Sequence, residues 1–222
     1  MIGKLHYITK GELPEDHIKN LQKACASGVD WVQLRIKNSD PKQILEAAKK
    51  ARTITARFQA KLIINDYYKI AKEVKADGVH LGATDACPIV VRNYLGKSFI
   101  IGGTANTLED CKNLLAKKVD YIGLGPYQFT KTKKSLSPIL GLAGYKNLLE
   151  KLQTDIPIIA IGGITLDKVS EIMETGIYGV AVSGAITKDG TSIPMFHKIL
   201  KTQKLTRTSI KKETINSFKK KK

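Results

Sequence analysis

The sequence contains few cysteines, and they are not arranged in pairs. The three, Cys25, Cys87 and Cys111, lie far apart and form no Cys-x-x-Cys motif or Cys/His cluster. Their odd number and wide spacing argue against a disulfide framework and against a zinc site. This pattern is typical of a protein from a reducing compartment.

Long apolar stretches are also missing. No run reaches the ~18 apolar residues that a membrane span requires, and no apolar leader precedes the first strand-like segment. We therefore expect a cytoplasmic protein that does not cross a membrane.

Acidic residues are scarce, and the imbalance is concentrated at one end of the chain. The 222 residues include 37 Lys and Arg against 20 Asp and Glu, a formal net charge of +17. From Lys198 onward, ten basic residues face the single acid Glu213, so about half of the excess lies in this short segment. We expect residues 202–222 to form a basic, disordered tail and residues 1–201 to form one folded domain. Such a charge can attract nucleic acid, but aromatic residues are not interleaved with it as stacking on single strands requires. A solvated tail is the favoured interpretation, and nucleic acid is not an expected partner.

Eight short apolar runs alternate with segments of helical periodicity. The runs are rich in Ile, Val and Leu, as strands buried on both faces are. They comprise Lys4–Thr9, Trp31–Lys37, Lys61–Asp66, Gly78–Gly82, Ser98–Thr104, Tyr121–Pro126, Pro157–Ile164 and Gly179–Ile186. Alternation of this kind and length predicts an α/β protein with a single (β/α)8 (TIM) barrel. An open doubly wound sheet would need a Gly-x-Gly-x-x-Gly turn, which the sequence does not complete.

Polar residues cluster where the second predicted strand ends. Side chains alternate along a strand, so Gln33, Arg35 and Lys37 share one face. Active sites of (β/α)8 barrels lie at the carboxyl ends of the strands. Buried cations require a counter-charge, so this face predicts either a bound anion or a structural ion pair.

Two carboxylates follow the third and fourth predicted strands. Asp66 comes directly after Asn65, and Asp85 follows Gly82. Mg²⁺ prefers oxygen ligands and commonly takes one or two carboxylates together with substrate phosphate oxygens. A carboxylate at such a position can equally serve only as a helix cap. The pair alone leaves both interpretations open.

The remaining strand ends carry hydroxyls, glycines and one basic loop. Thr104 follows Gly102 and Gly103, which we expect to let the backbone approach a ligand. The loop Thr130–Lys134 can close over the barrel mouth or simply be solvated. The glycines and Ser183 that end the last two strands are typical of a backbone phosphate cradle. Two anion sites on one mouth predict two phosphorylated ligands.

These motifs, taken together and in order, resemble those of the thiamine phosphate synthase family. The similarity extends from about Lys4 to Leu200. It rests on six motifs: Gln33 to Lys37, Ile64-Asn65-Asp66, Asp77 to Gly82 with Asp85, Gly102-Gly103-Thr104, Gly125-Pro126 with Thr130 to Lys134, and Ile161 to Ile164.

The resemblance implies a transferase that joins two small molecules. A hydroxymethylpyrimidine diphosphate would lose pyrophosphate with the help of Mg²⁺, and the nitrogen of a thiazole phosphate would attack the resulting carbocation-like species to give thiamine phosphate. The implied residues are Gln33, Arg35, Lys37, Asn65, Thr104 and Lys133 for the pyrimidine diphosphate, Asp66 and Asp85 for Mg²⁺, and Thr130, Thr132, Gly163, Ser183 and Gly184 for the thiazole phosphate. Arg35, Lys37 and Lys133 would stabilise the leaving group.

The chain departs from the family pattern at three places. The family often has Gly-Gln ahead of the second magnesium ligand, whereas this chain has Gly82-Ala83-Thr84-Asp85. Asn106 stands where the family commonly has a histidine, and Ser183-Gly184-Ala185-Ile186 replaces the usual Ser-Ala-Ile. A related thiazole tautomerase group depends on a histidine near position 106, so Asn106 favours the synthase. The alternatives are therefore a tautomerase-like relative and a non-catalytic nucleic-acid-binding protein. The oligomeric state stays open, with a homo-oligomer as one option.

Overall fold

Eight parallel strands close into a barrel. The computed structural model of the chain describes residues 1–129 and 138–202. Each strand pairs in parallel with the next, and the eighth pairs with the first. In chain order the strands are β1 (Leu5–Ile8), β2 (Trp31–Leu34), β3 (Lys61–Asn65), β4 (Gly78–Leu81), β5 (Ile100–Ala105), β6 (Tyr121–Leu124), β7 (Ile158–Ile161) and β8 (Gly179–Val182). The predicted α/β class and (β/α)8 architecture are confirmed.

Helices follow the strands and cover the outside of the barrel. They are α1 (Pro14–Ala26), α2 (Pro41–Arg57), α3 (Tyr68–Glu73), α4 (Pro88–Leu95), α5 (Leu108–Ala116), α6 (Gly141–Leu152), α7 (Val169–Glu174) and α8 (Gly184–Lys188), and residues 193–202 are also helical. Two short 3-10 turns span Leu166–Lys168 and Gly190–Ser192. None of the helices in the two described stretches is long and apolar enough to cross a membrane.

Local signals explain where these helices begin and end. Pro14 and Pro41 occupy the first positions of α1 and α2, where a missing N–H costs nothing. The Asp40 carboxylate accepts the N–H of Gln43 at 3.0 Å and so caps α2. Gly96 ends α4 with a φ of +89°, a left-handed conformation that side chains disfavour.

Several strands are shorter than predicted, and two of the differences bear on the site. The strand expected to reach Lys37 stops at Leu34, because the Arg35 N–H turns to the Thr9 side chain at 3.0 Å instead of a backbone carbonyl. The strand expected to reach Ile186 stops at Val182, and Gly184 already begins α8. These corrections place Arg35, Lys37 and Ser183 after the ends of their strands and Gly184 at the start of α8.

The barrel interior is filled at its amino-terminal half. A small cluster comprises Ile8, Trp31, Ile63, Tyr121, Ile159 and Ala181, separate from the larger core between strands and helices. His6 stacks on Trp31 with ring centroids 4.4 Å apart, and burial lowers the pKa of His6 to about 3. This plug confines any open space to the carboxyl ends of the strands.

Candidate active site

A cavity of about 400 Å³ occupies the mouth of the barrel. Residues from the ends of β1 to β8 line it, as expected for the carboxyl-terminal face of a barrel. The predicted site residues on its wall are Gln33, Arg35, Asn65, Thr104, Gly163, Ser183 and Gly184. Three further predicted residues, Thr130, Thr132 and Lys133, lie outside the described residues.

Two buried amides form one side of the cavity. Gln33 Nε2 donates to Asn65 Oδ1 at 2.7 Å, and both side chains are almost fully buried. Because Asn65 uses its oxygen here, its N–H donors are available to a ligand in the cavity. Buried amides of this kind fix the orientation of a bound group.

The Arg35 guanidinium lies on the same wall. Its backbone is fixed by Thr9, whose hydroxyl is also 2.8 Å from His17 Nδ1. Burial lowers the pKa of Arg35, whereas the charge of Asp66 raises it. Within residues 1–129 and 138–202, the guanidinium makes no ion pair. A half-buried cation of this kind favours an anionic ligand.

A cluster of one cation and two carboxylates lies beside the cavity. Lys37 Nζ lies 2.5 Å from Asp66 Oδ2, and Asp85 Oδ2 accepts the Gly82 N–H at 2.6 Å. Burial raises the pKa of Asp85, and the adjoining Asp66 carboxylate raises it further. The structure therefore brings Lys37, Asp66 and Asp85 together in one cluster.

Asp66 adopts an unusual backbone conformation. Its φ is +64°, in the left-handed region that residues other than glycine rarely enter. Its N–H donates to the carbonyl of His80 at 2.9 Å, which ties the turn after β3 to the neighbouring strand β4. Strain of this kind concentrates at functional sites.

The carboxylate pair is compatible with Mg²⁺. In the part of the chain that is described, no group of three or more His, Cys, Asp or Glu side chains could hold a metal. Mg²⁺ bound through substrate phosphates requires only one or two carboxylates. Two neighbouring carboxylates repel each other, and a bound divalent cation would offset that repulsion.

A histidine without a predicted role lies on the cavity floor. His80 Nε2 is 2.9 Å from the Thr104 hydroxyl, and His80 Nδ1 is 2.9 Å from the Tyr121 hydroxyl. The available signal was strand alternation, since Val79 and Leu81 face outward and His80 must face inward. Asn106 also lines the cavity, and its side-chain N–H donates to the Gly125 carbonyl.

The glycines before Thr104 have a different role from the expected one. A Cβ on Gly102 would overlap the ring of Tyr121, and a Cβ on Gly103 would lie 2.5 Å from Leu114. Neither glycine lines the cavity. They make room for neighbouring side chains, so the expectation that they bring the backbone close to a ligand was wrong.

The opposite wall combines glycines with a buried hydroxyl. Gly163 has a φ of +72°, and a Cβ on Gly184 would meet no atom within 4 Å. Ser183 Oγ is buried and makes no hydrogen bond to any described residue. A buried polar atom without a partner is costly, so this wall is suited to a ligand that supplies one.

A closed parallel barrel with a cation-bearing cavity at its strand ends is the architecture of the (β/α)8 barrel enzymes. The sequence profile of the family described as thiamine monophosphate synthase matches residues 5–186. The chain belongs to this family.

Individual relatives agree with this assignment. A thiamine-phosphate synthase from Flavobacterium johnsoniae is 47% identical over 191 residues, which cover 85% of this chain and 90% of the relative. One from Bacteroides fragilis is 40% identical over 199 residues, which cover 88% of this chain and 98% of the relative. The solved structure of thiamine phosphate pyrophosphorylase from Pyrococcus furiosus matches with a TM-score of 0.76 and 28% identity. The match covers 90% of this chain and 96% of that one. These names support neither the tautomerase-like alternative nor a nucleic-acid-binding protein.

Proposed function

We propose that this protein is a thiamine-phosphate synthase, a transferase that joins a hydroxymethylpyrimidine diphosphate to a thiazole phosphate. The observation that carries the proposal is the half-buried Arg35 guanidinium, which lines the cavity without an ion-pair partner among the described residues. Family membership and the relatives' names give the identity of the anion that Arg35 would bind.

The leaving group would bind on the β2–β3 side of the mouth. Arg35 and Lys37 supply positive charge, and Asn65, oriented by Gln33, supplies amide N–H donors. Thr104 adds a hydroxyl from the cavity floor. Lys133 would complete the set from residues 130–137.

Asp66 and Asp85 would hold the cofactor Mg²⁺ next to this group. When bound, Mg²⁺ would supply positive charge for the oxygens of the leaving pyrophosphate. Lys37 already lies against Asp66, so one cation of the chain and the metal site share a single cluster.

The thiazole phosphate would bind on the β7–β8 side. The Ser183 hydroxyl is buried without a partner among the described residues, and Gly184 leaves the backbone accessible, since a Cβ there would meet no atom within 4 Å. Gly163 lies on the same wall, where its carbonyl accepts a hydrogen bond from the Gln128 side chain. Thr130 and Thr132, which lie outside the described residues, are proposed to contribute as well. The two phosphate sites then face each other across the cavity.

The chemistry follows from this charge distribution. The C–O bond between the pyrimidine methylene and the diphosphate breaks, and pyrophosphate leaves with the electron pair. The thiazole nitrogen then donates its lone pair to the methylene carbon and forms the new C–N bond. Fixed cations stabilise the charge that develops on the leaving oxygens. We propose that the reaction takes place in the cytoplasm.

The role of Arg35 can be tested by substitution. Arg35→Ala should lower kcat/KM by at least about 100-fold, as expected when a charged contact to the leaving group is lost. Arg57→Ala, which removes an exposed arginine from the end of α2, is the matched control and should stay near the wild-type value. A near-normal rate for a folded Arg35→Ala protein would refute the assignment.

A further inference from the structure

Three side chains form a continuous hydrogen-bonded row from the barrel core to the cavity. Tyr121 is completely buried, His80 lies next along the row, and Thr104 reaches the cavity wall. The two links, from the Tyr121 hydroxyl to Nδ1 and from Nε2 to the Thr104 hydroxyl, are both 2.9 Å.

The burial of Tyr121 determines the direction of these hydrogen bonds. Its hydroxyl has no other hydrogen-bond partner among the residues that the structure describes. If His80 donated from Nδ1, the Tyr121 proton would be left in the core without an acceptor, which is costly. Burial also raises the pKa of Tyr121, so the phenol stays protonated. Tyr121 therefore donates, and Nδ1 accepts.

The protonation of His80 then determines the orientation of the Thr104 hydroxyl. A neutral imidazole that accepts at Nδ1 carries its proton on Nε2. Nε2 must donate to the Thr104 oxygen, so the Thr104 proton points elsewhere. The described residues offer that proton no other acceptor, whereas the cavity adjoins it.

The neighbouring backbone accommodates this row closely. A Cβ at position 102 would overlap the Tyr121 ring, and a Cβ on Gly123 would lie 3.2 Å from His80 Cε1. Glycines at these two places allow both rings to lie inside the barrel. The fit restricts how far either ring can turn.

We propose that His80 is a positioning residue, held by Tyr121 as the Nε2–H tautomer, that aims the Thr104 hydroxyl proton into the cavity. There the hydroxyl donates to an oxygen of the leaving pyrophosphate. The identity of that acceptor rests on the proposed function, but the tautomer of His80 and the direction of the Thr104 proton do not.

The tautomer of His80 can be determined without an activity assay. Nitrogen NMR of the ¹⁵N-histidine-labelled full chain, with His80 assigned by comparison with His80→Gln, reports which ring nitrogen carries the proton. We expect Nε2–H and an accepting Nδ1 near neutral pH. A proton on Nδ1 alone would overturn the proposal, whatever the enzyme's substrates are.

The coupling to Thr104 can be measured by a double-mutant cycle. Tyr121→Phe keeps the ring but removes the donor, and should lower kcat about five- to tenfold with little change in KM. The same loss should appear in a Thr104→Ser background and disappear in Thr104→Ala, where no hydroxyl remains to be aimed. Equal losses in all three backgrounds would show a merely structural role and refute the proposal.

A matched control separates this effect from the loss of any buried phenol. Tyr145→Phe also removes a buried hydroxyl, one that donates to the Leu124 carbonyl at 3.0 Å. It should leave kcat unchanged in every background. If Tyr121→Phe does not fold, His80→Gln is carried through the same cycle, and an undiminished loss in Thr104→Ala again contradicts the proposal.

Discussion

The ammonium of Lys37 lies 2.5 Å from a carboxylate oxygen of Asp66. Asp66 in turn lies beside Asp85, whose pKa is raised by burial and by this neighbour. The lysine therefore offsets part of the repulsion between two carboxylates. In the proposed reaction all three side chains serve the same leaving group, Lys37 directly and the two aspartates through Mg²⁺.

Removing the lysine should affect turnover without weakening the metal site. Lys37→Met keeps most of the side-chain volume, and should lower kcat/KM by about 10- to 100-fold because a cation near the leaving oxygens is lost. The half-saturating Mg²⁺ concentration should not rise, since the carboxylates lose a competing cation. Lys50→Met, on the exposed face of α2, is the control. A raised Mg²⁺ requirement with normal turnover would contradict these roles.

Substituting Asp85, unlike substituting Lys37, should weaken the binding of Mg²⁺. Asp85→Asn keeps an oxygen that can accept the Gly82 N–H, so the turn should survive. Loss of the charge should raise the half-saturating Mg²⁺ concentration by at least about tenfold. Activity measured across a Mg²⁺ titration gives this value, with Asp30→Asn as the exposed control. An unchanged titration midpoint would remove Asp85 from the metal site.

Ser183→Ala should separate binding from stability. The hydroxyl is buried without a partner among the described residues, so its removal should leave the free energy of unfolding unchanged or raise it by up to about 1 kcal/mol. KM for the thiazole phosphate should nevertheless rise about three- to tenfold. Chemical unfolding and steady-state kinetics on one preparation measure both. A lower stability together with an unchanged KM would show that the hydroxyl is structural.

Acid should destabilise the barrel through His6. Burial lowers its pKa to about 3 in the folded protein from an ordinary value of 6.5, so the unfolded chain takes up a proton first as the pH falls. Stability is therefore lost between pH 6.5 and about 3. Near pH 5 this residue should change the free energy of unfolding by about 1.4 kcal/mol per pH unit.

The His6→Phe variant isolates that contribution. Phenylalanine keeps a ring against Trp31 but cannot titrate. The free energy of unfolding, measured with urea at pH 5, 6, 7 and 8, should fall less steeply with pH than that of the wild type below pH 6.5. Above pH 6.5 the two curves should run parallel. Identical slopes throughout would contradict the burial of an uncharged His6.

The sequence was sufficient to predict the fold because strand and helix periodicities alternate clearly along it. The alternation of side chains along β2 also predicted that Gln33 and Arg35 reach the barrel mouth, where the carboxyl ends of parallel strands meet. These inferences depend on local pattern and on one geometric rule. Neither requires knowledge of which side chains touch.

What the sequence did not reveal depends on contacts between distant segments. The hydrogen bond between Tyr121 and His80 joins residues 41 positions apart, and no spacing rule predicts it. The role of Gly102 follows from the ring of Tyr121 across the β5–β6 pair, which is likewise invisible in the motif. β2 ends early because the Arg35 N–H donates to the side chain of Thr9 instead of a backbone carbonyl of the neighbouring strand.

The central claim is tested most directly by the reaction itself. The purified full chain is mixed with Mg²⁺, hydroxymethylpyrimidine diphosphate and thiazole phosphate, and pyrophosphate and thiamine phosphate are quantified over time. We expect equal amounts of the two products, formed only when both substrates and Mg²⁺ are present. A folded protein that forms no thiamine phosphate under these conditions would contradict the proposed function.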